Sequence, residues 1–435
     1  MIATAIRYSK IPTKVAQLHC WLDAHDGLNL RQQMLVFVVT ALAIISRLPS
    51  LIIHAQFYAE DGKVWYRQAY EQGWLHSLML PNVGYLTTLP RLGAGLALLV
   101  PLRWAPLVMT LFGLFIQCLP VTVLLSRRCR SFGPLSLRAA FALSYVVCPN
   151  AREIHMVATN TQWHLALAVV LLSFAEPPVG WAGRAFDILA FTVLGLSAPF
   201  CIVLAPLVFL YFWFRRHRWT LVQAAILTVS ALIQLHLLRT TYFRVAGPLG
   251  ASLPLFLRVF GGNVIGCAIF GGFRIGLRAP MLLVVLASIG GVILFSYALR
   301  YANLELKLLI LFCIGLFAGA LKSPLTGSPL PQWPILVQTP SCRYWFFPMI
   351  GFLWGLIWCV KFARHSILKR IAVYTLVLSV VGVVAQWEYK PYANRNFAKQ
   401  AQRFRDANPG TAVKLLIIPD DWNVTLVKKN PAGSY

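Results

Sequence analysis

The chain has 435 residues, of which 58% are apolar and only 12% are charged, and its mean hydropathy is +0.68. This composition excludes an ordinary soluble globular protein. The net charge of +26 could suggest a nucleic-acid partner, but the basic residues are spread over loops between apolar runs. We therefore predict contacts with membrane lipids and no nucleic-acid partner.

A helix needs about 20 apolar residues to cross a membrane, and in lipid every backbone polar group must be satisfied within the span. The apolar runs have this helical length and lack the alternation of a β-barrel. The sequence thus predicts an all-α polytopic integral membrane protein with about eleven transmembrane helices. We place them near 34–53, 104–126, 134–150, 162–176, 185–199, 200–214, 219–238, 280–299, 304–321, 344–361 and 367–386.

Three turns between the predicted spans carry most of the clustered basic residues, and all three fall on one side together with the N-terminus. The positive-inside rule makes that side cytoplasmic. The residues are Arg127, Arg128, Arg130, Arg215, Arg216, Arg218, Lys361, Arg364, Lys369 and Arg370. Three longer segments, 54–103, 238–279 and 387–435, are then predicted to be external.

The first external segment, 54–103, contains a short apolar stretch at 86–102 that Pro90 and Arg91 interrupt. A full crossing there would reverse the later basic turns, so we predict a helix that lies in the outer interface.

A helix is also predicted over 62–74, where Tyr66, Tyr70 and Trp74 recur every four residues. This spacing fits an interfacial aromatic stripe or, equally, a stripe packed against neighbouring helices.

Two strand-like runs in the tail, VKLLIIP and WNVTLVKK, are separated by the turn signal of Asp420 and Asp421. We predict a short external α/β appendage over 387–435, following a transmembrane domain over 1–386.

Glu60 and Asp61 are adjacent in the sequence FYAEDG, directly after the first predicted span. Two carboxylates at a membrane surface are typical of a base, a metal site or a partner for a cation. The alternative is that Asp61 caps the helix that begins near Gly62, with Glu60 solvated beside it. Mg²⁺ or Mn²⁺ bound by the pair stays open at this point.

Several basic residues could bind a phosphate group near this side of the membrane. Arg343 begins a predicted span next to Tyr344, and its guanidinium can bind a phosphate with two hydrogen bonds or extend to the interface as an anchor. Arg91 is a second candidate. Arg47 is a third and could instead balance Glu60 or Asp61.

A polar cluster precedes and enters the span near 162–176. Amide, carboxylate and aromatic side chains of this kind bind the hydroxyl groups of sugars, whereas the alternative is helix capping with an interfacial tryptophan. Its two histidines lack a third ligand at metal spacing, so we predict no zinc site. The residues are Glu153, His155, Asn160, Gln162, Trp163 and His164.

Five short motifs occur in order along the chain and together resemble the polytopic bacterial glycosyltransferases of the GT-C superfamily, which use sugars linked to polyprenyl phosphate. The closest likeness is to members with an acidic-Asp-Gly motif in the first outer loop. The motifs are FYAEDG at 57–62, GYLTTLPRL at 84–92, PNAREIHMVATNTQWHLAL at 149–167, RYWFFP at 343–348 and IIPDDWNVTLVKK at 417–429.

The resemblance implies a GT-C-like helical bundle with an outward-facing active cavity, interfacial helices in the first outer loop, and Glu60 and Asp61 as the catalytic pair. We expect transfer of a sugar from polyprenyl phosphate to a cell-envelope glycan or lipid-linked acceptor, at the outer face of a bacterial inner membrane. Asp61 is expected to be the base, because its shorter side chain is more rigidly aimed. The stereochemical outcome stays open.

Two other classes of function are compatible with the sequence. A transporter or flippase of lipid-linked glycans would also need many spans and a basic outer cavity, but little mid-membrane charge and no repeat is found. A non-catalytic membrane assembly subunit would not depend on Glu60 or Asp61.

The basic turns predict that the C-terminus is external and the N-terminus cytoplasmic. In a variant whose one cysteine is placed near Tyr435, a membrane-impermeant thiol reagent should label intact cells. Labelling that requires permeabilised membranes would contradict this topology.

Overall fold

The computed structural model describes residues 13–241, 247–324, 329–338 and 342–429, and these form an all-α membrane protein with two small β-hairpins. Tyr435 lies outside the described residues. Among the described residues, eight helices are long and apolar enough to cross a membrane. They are Leu30–Arg47, Ala105–Leu125, Arg218–Thr240, Leu253–Phe270, Met281–Tyr301, Leu304–Lys322, Arg343–Phe362 and Ser366–Ala385.

Four of the eleven predicted spans form helices of only 12 to 16 residues. At 1.5 Å per residue these reach about 18–24 Å, short of the roughly 30 Å hydrocarbon layer. The polytopic class is therefore confirmed, whereas the number eleven stays a prediction. The helices are Leu135–Val146, Thr161–Ser173, Trp181–Gly195 and Phe200–Arg215.

The segment 238–279, which the sequence predicts to be external, contains an 18-residue apolar helix that the sequence analysis did not identify, Leu253–Phe270. Its glycines make the segment less apolar in sequence, but they allow close helix packing. A Cβ at Gly261 would overlap the backbone of Val284, and one at Gly276 would overlap Gly262. The close packing requires residues without a side chain at these positions, and the same glycines weaken the apolar pattern of the sequence.

The centre of the bundle is the helix Thr161–Ser173, in which every residue is buried. It packs against Ala105–Leu125 and lies next to Trp181–Gly195. A short helix buried on all sides is apolar around its whole circumference, which explains why the sequence pattern resembles a membrane span.

A second hydrophobic core joins the first outer loop to the C-terminal tail. Phe57, Trp65 and Tyr66 from the loop pack with Phe397 and Phe404 from the tail. The tail itself consists of a helix and an antiparallel hairpin, so the predicted hairpin is present. Loop and tail are thus stabilised by one shared core.

The aromatic stripe of the first outer loop is mainly a packing feature. Tyr66 lies 4.8 Å from Phe57, and Tyr70 lies 6.1 Å from Phe404, measured between ring centroids. Trp74 is 39% exposed. Of the two alternatives, packing therefore applies to Tyr66 and Tyr70.

The remaining elements are short and connect the bundle. The helical ones are Thr13–Ala24, Ser50–Ile53, Asp61–Tyr66, Arg67–Gln72, Trp74–Leu78, Thr88–Ala97, Arg127–Phe132, Arg152–Ile154, Ala158–Asn160, Phe273–Arg278, Gln332–Gln338 and Phe397–Asp406. The strands Pro81–Asn82 and Tyr85–Leu86 form one hairpin, and Ala412–Leu416 pairs with Asn423–Val427 in the other.

We predict that Gly276→Ala destabilises the protein by about 1–3 kcal/mol, because the new methyl group overlaps the backbone of Gly262. Gly290→Ala is the matched control, since a Cβ there meets open space. Thermal unfolding in detergent would measure both variants. Equal melting temperatures for the two variants would contradict the close packing of Gly276 against Gly262.

Candidate active site

The tail holds the acidic loop in place through main-chain hydrogen bonds. The amide of Ala59 donates to the carbonyl of Ile418 at 2.5 Å, and the amide of Ile418 donates to Phe57 at 3.0 Å. Ala59 has a left-handed backbone, with φ of 43°. A π-helix, Asp61–Tyr66, then begins at the second acidic residue. Glu60 and Asp61 therefore start from a fixed backbone.

Asp61 is buried, with 4% of its surface exposed. Its Oδ2 accepts a hydrogen bond from the amide of Ala158 at 3.2 Å, while Oδ1 is buried and has no partner among the described residues. Burial raises the pKa of Asp61 well above its usual range, and Glu60 adds to this effect. Asp61 thus caps the turn Ala158–Asn160, rather than the helix that it begins.

Glu60 is only half-buried and interacts with Thr159. The Thr159 hydroxyl lies 3.4 Å from Glu60 Oε2 and accepts a hydrogen bond from Trp65 Nε1 at 3.1 Å. Because an indole nitrogen can only donate, the hydroxyl proton is left to donate toward Glu60. Sequence analysis missed Thr159, although it adjoins the polar cluster at Asn160.

Arg91 supports this chain of contacts from behind. Its side chain is fully buried, and its guanidinium lies 4.8 Å from the ring of Trp65. It donates to Gln68 Oε1 at 2.7 Å and to Thr87 Oγ1 at 3.3 Å. Burial lowers the pKa of Arg91 to about 10. The structure therefore places Arg91 as a support for Trp65, not at a surface that a substrate can reach.

Arg343 is joined to the other side of the site by an ion pair. Its Nη1 lies 2.9 Å from Glu153 Oε1, and its amide donates to Glu153 Oε2 at 3.1 Å. The ring of Tyr344 lies 5.1 Å from the guanidinium. Much of the charge of Arg343 is therefore balanced within the protein.

Arg152 is a second basic residue beside the acidic loop, and its guanidinium lies 4.0 Å from the ring of Tyr392. Tyr58 packs edge-on against Tyr392, and burial raises the pKa of Tyr58, with Tyr392, Glu153 and Glu60 adding to the rise. These electrostatic effects place Glu60, Glu153 and Tyr58 in one cluster. Within the described part of the chain, Arg152 has no carboxylate partner.

The polar cluster that sequence analysis identified divides into two groups. Asn160 donates to the carbonyl of Glu153 at 2.7 Å, and the ring of Trp163 lies 6.4 Å from Tyr344. Gln162 Oε1 is buried without a hydrogen-bond partner among the described residues. Asn160, Gln162 and Trp163 thus remain beside the Glu153–Arg343 pair.

The two histidines form the other group and connect helices instead. His155 Nε2 lies 2.9 Å from the carbonyl of Ile44, and burial lowers the pKa of His155 to about 3. His164 bonds to the Tyr145 hydroxyl and to the carbonyl of Ile154, each at 2.8 Å. Both rings are buried and engaged at both nitrogens, so their contacts are structural.

Arg47 does not balance the acidic pair. It donates to the carbonyls of Val146 at 2.9 Å and Cys148 at 3.1 Å, and lies 4.5 Å from the ring of Tyr389. It also donates to the carbonyl of Trp387 at 3.3 Å, and therefore joins its own helix to two other backbone segments. Among the described residues, no three His, Cys, Asp or Glu side chains are placed to hold a metal ion.

No protein-family model matches this chain, and no curated protein does so either.

We predict that Asp61→Asn reduces the pH dependence of stability. A carboxyl whose folded pKa is raised binds more protons folded than unfolded, so wild-type stability falls as pH rises from the ordinary value of 3.8 through the folded pKa. Asparagine removes this contribution but still accepts from Ala158. Melting temperatures at pH 5 and pH 8 would measure it, with the exposed Asp421→Asn as control. An unchanged difference between the two pH values in Asp61→Asn would contradict the buried carboxyl.

Proposed function

We propose that the protein is a GT-C-like glycosyltransferase that moves a sugar from polyprenyl phosphate to a cell-envelope glycan or lipid-linked acceptor. The observation that carries the proposal is the partly exposed side chain of Glu60, to which the Thr159 hydroxyl donates. Arg152, the Glu153–Arg343 pair and the polar wall of Asn160, Gln162 and Trp163 lie in the same region.

The structure changes which acid we favour as the base. Sequence analysis preferred Asp61 for its rigid aim, and Asp61 is indeed rigidly held, but it is buried and bonded to the backbone. A base must reach the proton that it removes. We therefore assign the base to Glu60, and we assign Asp61 to positioning Thr159 through the turn Ala158–Asn160.

In the proposed reaction, Glu60 accepts the proton of an acceptor hydroxyl as that oxygen bonds to the anomeric carbon of the donor. The bond between the anomeric carbon and the phosphate oxygen breaks, and polyprenyl phosphate leaves with the electron pair. Arg152 is the cation best able to stabilise that phosphate, because Arg343 is already paired with Glu153. Asn160, Gln162, Trp163 and Tyr344 would contact the sugar.

The proposed location is the outer face of a bacterial inner membrane, with a cytoplasmic N-terminus and an external tail, and with eleven crossings as the working count. The basic turn at Arg128 lies at the opposite end of the buried helix Thr161–Ser173 from the site, where the amide of Glu176 donates to the Arg128 carbonyl. The loop between the first two spans also exposes Leu75 and Leu99 by 71% and 80%. Both observations support a site at the outer membrane surface.

We predict that Glu60→Gln lowers turnover by roughly 10²–10⁴-fold, as expected for loss of a base. Thr159→Val should lower it by about 10–100-fold, because a hydrogen bond to a charged group is lost, while Thr159→Ser should retain most of it. Asp61→Asn should keep more activity than Glu60→Gln. The assay is transfer of a labelled sugar from polyprenyl phosphate by purified protein, with folding checked by thermal unfolding.

The outcomes separate the alternatives. Full activity in a folded Glu60→Gln variant would remove Glu60 from the mechanism, and loss in Asp61→Asn alone would return the base to Asp61. Equal activity of Thr159→Val and Thr159→Ser would exclude the proposed contact. Movement of lipid-linked glycan across vesicles without sugar transfer would identify a flippase, and neither activity would favour an assembly subunit.

A further inference from the structure

An open groove of about 250 Å³ lies at the end of the bundle opposite the candidate active site. It is formed by the start of the helix Trp181–Gly195, the start of Arg218–Thr240 and the preceding loop. Its lining residues are Pro177, Pro178, Arg184, Arg218, Trp219 and Val222. The groove therefore combines two guanidinium groups with an aromatic and apolar wall.

The acidic residues near this groove are already paired with other arginines. Arg128 forms two hydrogen bonds of 2.8 Å with Asp187, which also accepts from Trp219 Nε1 at 2.9 Å. Arg130 pairs with Glu176. Asp187 is 1% exposed, so its charge is both neutralised and covered.

The two arginines that line the groove have no such partner. In the described residues neither Arg184 nor Arg218 forms an ion pair, and Arg184 lies 5.8 Å from the ring of Trp219. Both are exposed. The groove thus carries two uncompensated positive charges and attracts an anion.

Apolar side chains project from the rim of the same groove. Val179 is 99% exposed and Trp181 is 83% exposed, and Val222 continues this surface along the next helix. Such side chains beside arginines are typical of the membrane interface, where the charged groups meet lipid headgroups and the apolar groups meet acyl chains. A free inorganic anion would make no favourable contact with these apolar side chains.

We propose that this groove binds an anionic phospholipid, with the headgroup phosphate between Arg184 and Arg218 and an acyl chain along Trp181 and Val222. The charge complementarity and the apolar rim together select a lipid over a soluble ligand. The site would anchor the starts of two helices to one leaflet. It is independent of the proposed transferase activity.

The test is titration of detergent-solubilised full-length protein with phosphatidylglycerol, with bound lipid counted by native mass spectrometry. A basic residue near an anionic membrane surface contributes roughly fivefold to affinity, so Arg184→Ala with Arg218→Ala should weaken the tightest site about 30-fold. The matched control is Arg300→Ala with Arg364→Ala, which removes two arginines that lie 5.5 and 5.0 Å from the ring of Tyr301. The control should change binding by less than about threefold, since these two arginines do not line the groove.

Three further measurements use a lysine variant, a zwitterionic lipid and competition by inorganic phosphate. The Arg184→Lys, Arg218→Lys variant should stay within about tenfold of wild type, because charge is kept while the planar fork is lost. Arg184→Gln with Arg218→Gln, which also removes both charges, replaces the alanine variant if that fails to fold. Zwitterionic phosphatidylcholine should bind much more weakly. Equal loss in the control variant, unchanged binding in the alanine variant, or displacement of the lipid by inorganic phosphate at equal concentration would each overturn the proposal.

Discussion

The hydrogen bond from the amide of Ala158 to the carboxylate of Asp61 joins the first outer loop to the start of the central helix. Everything in the candidate site depends on this contact, because it fixes the turn that presents Thr159 to Glu60. A buried carboxylate that accepts backbone hydrogen bonds is held in one orientation. The same burial raises its pKa and shields it from solvent. Asp61 thus has a structural role, whereas the side chain of its neighbour Glu60 is partly exposed.

The second constraint comes from the far end of the chain. Phe57 packs between Tyr66 and Phe397, at 4.8 and 5.2 Å between ring centroids, and the loop backbone bonds to Ile418. A loop of this size has too little apolar surface to fold alone. The tail completes its core, so the geometry of Glu60 depends on residues more than 300 positions away. A tail of about 50 residues therefore acts as part of the site, which the division into a membrane domain and an appendage did not anticipate.

The extent to which the sequence predicts this structure follows from the range of each interaction. The apolar runs are local features, and the sequence predicts most of the helices that they form. The contact of Trp65 with Thr159 joins residues 94 positions apart, and no local sequence pattern indicates it. A charged residue such as Arg91 is expected at the surface. Its contacts with the ring of Trp65 and with two polar side chains, Gln68 and Thr87, allow it to be fully buried. The helix Leu253–Phe270 was missed because glycines both dilute its apolar pattern and permit its packing.

The distribution of negative charge gives an independent reason to place function at the acidic loop. Three acidic residues are buried in the described part of the chain: Asp61, Asp187 and Glu305. Asp187 pairs with Arg128, and Glu305 pairs with Arg215 at 2.5 Å. Asp61 alone of the three is buried without a cation, although Lys and Arg outnumber Asp and Glu by 39 to 13. In a chain so rich in arginine, Asp61 is a buried carboxyl that lacks a basic partner and adjoins a second carboxyl, and both features raise its pKa. Groups with strongly shifted pKa values are concentrated at functional sites.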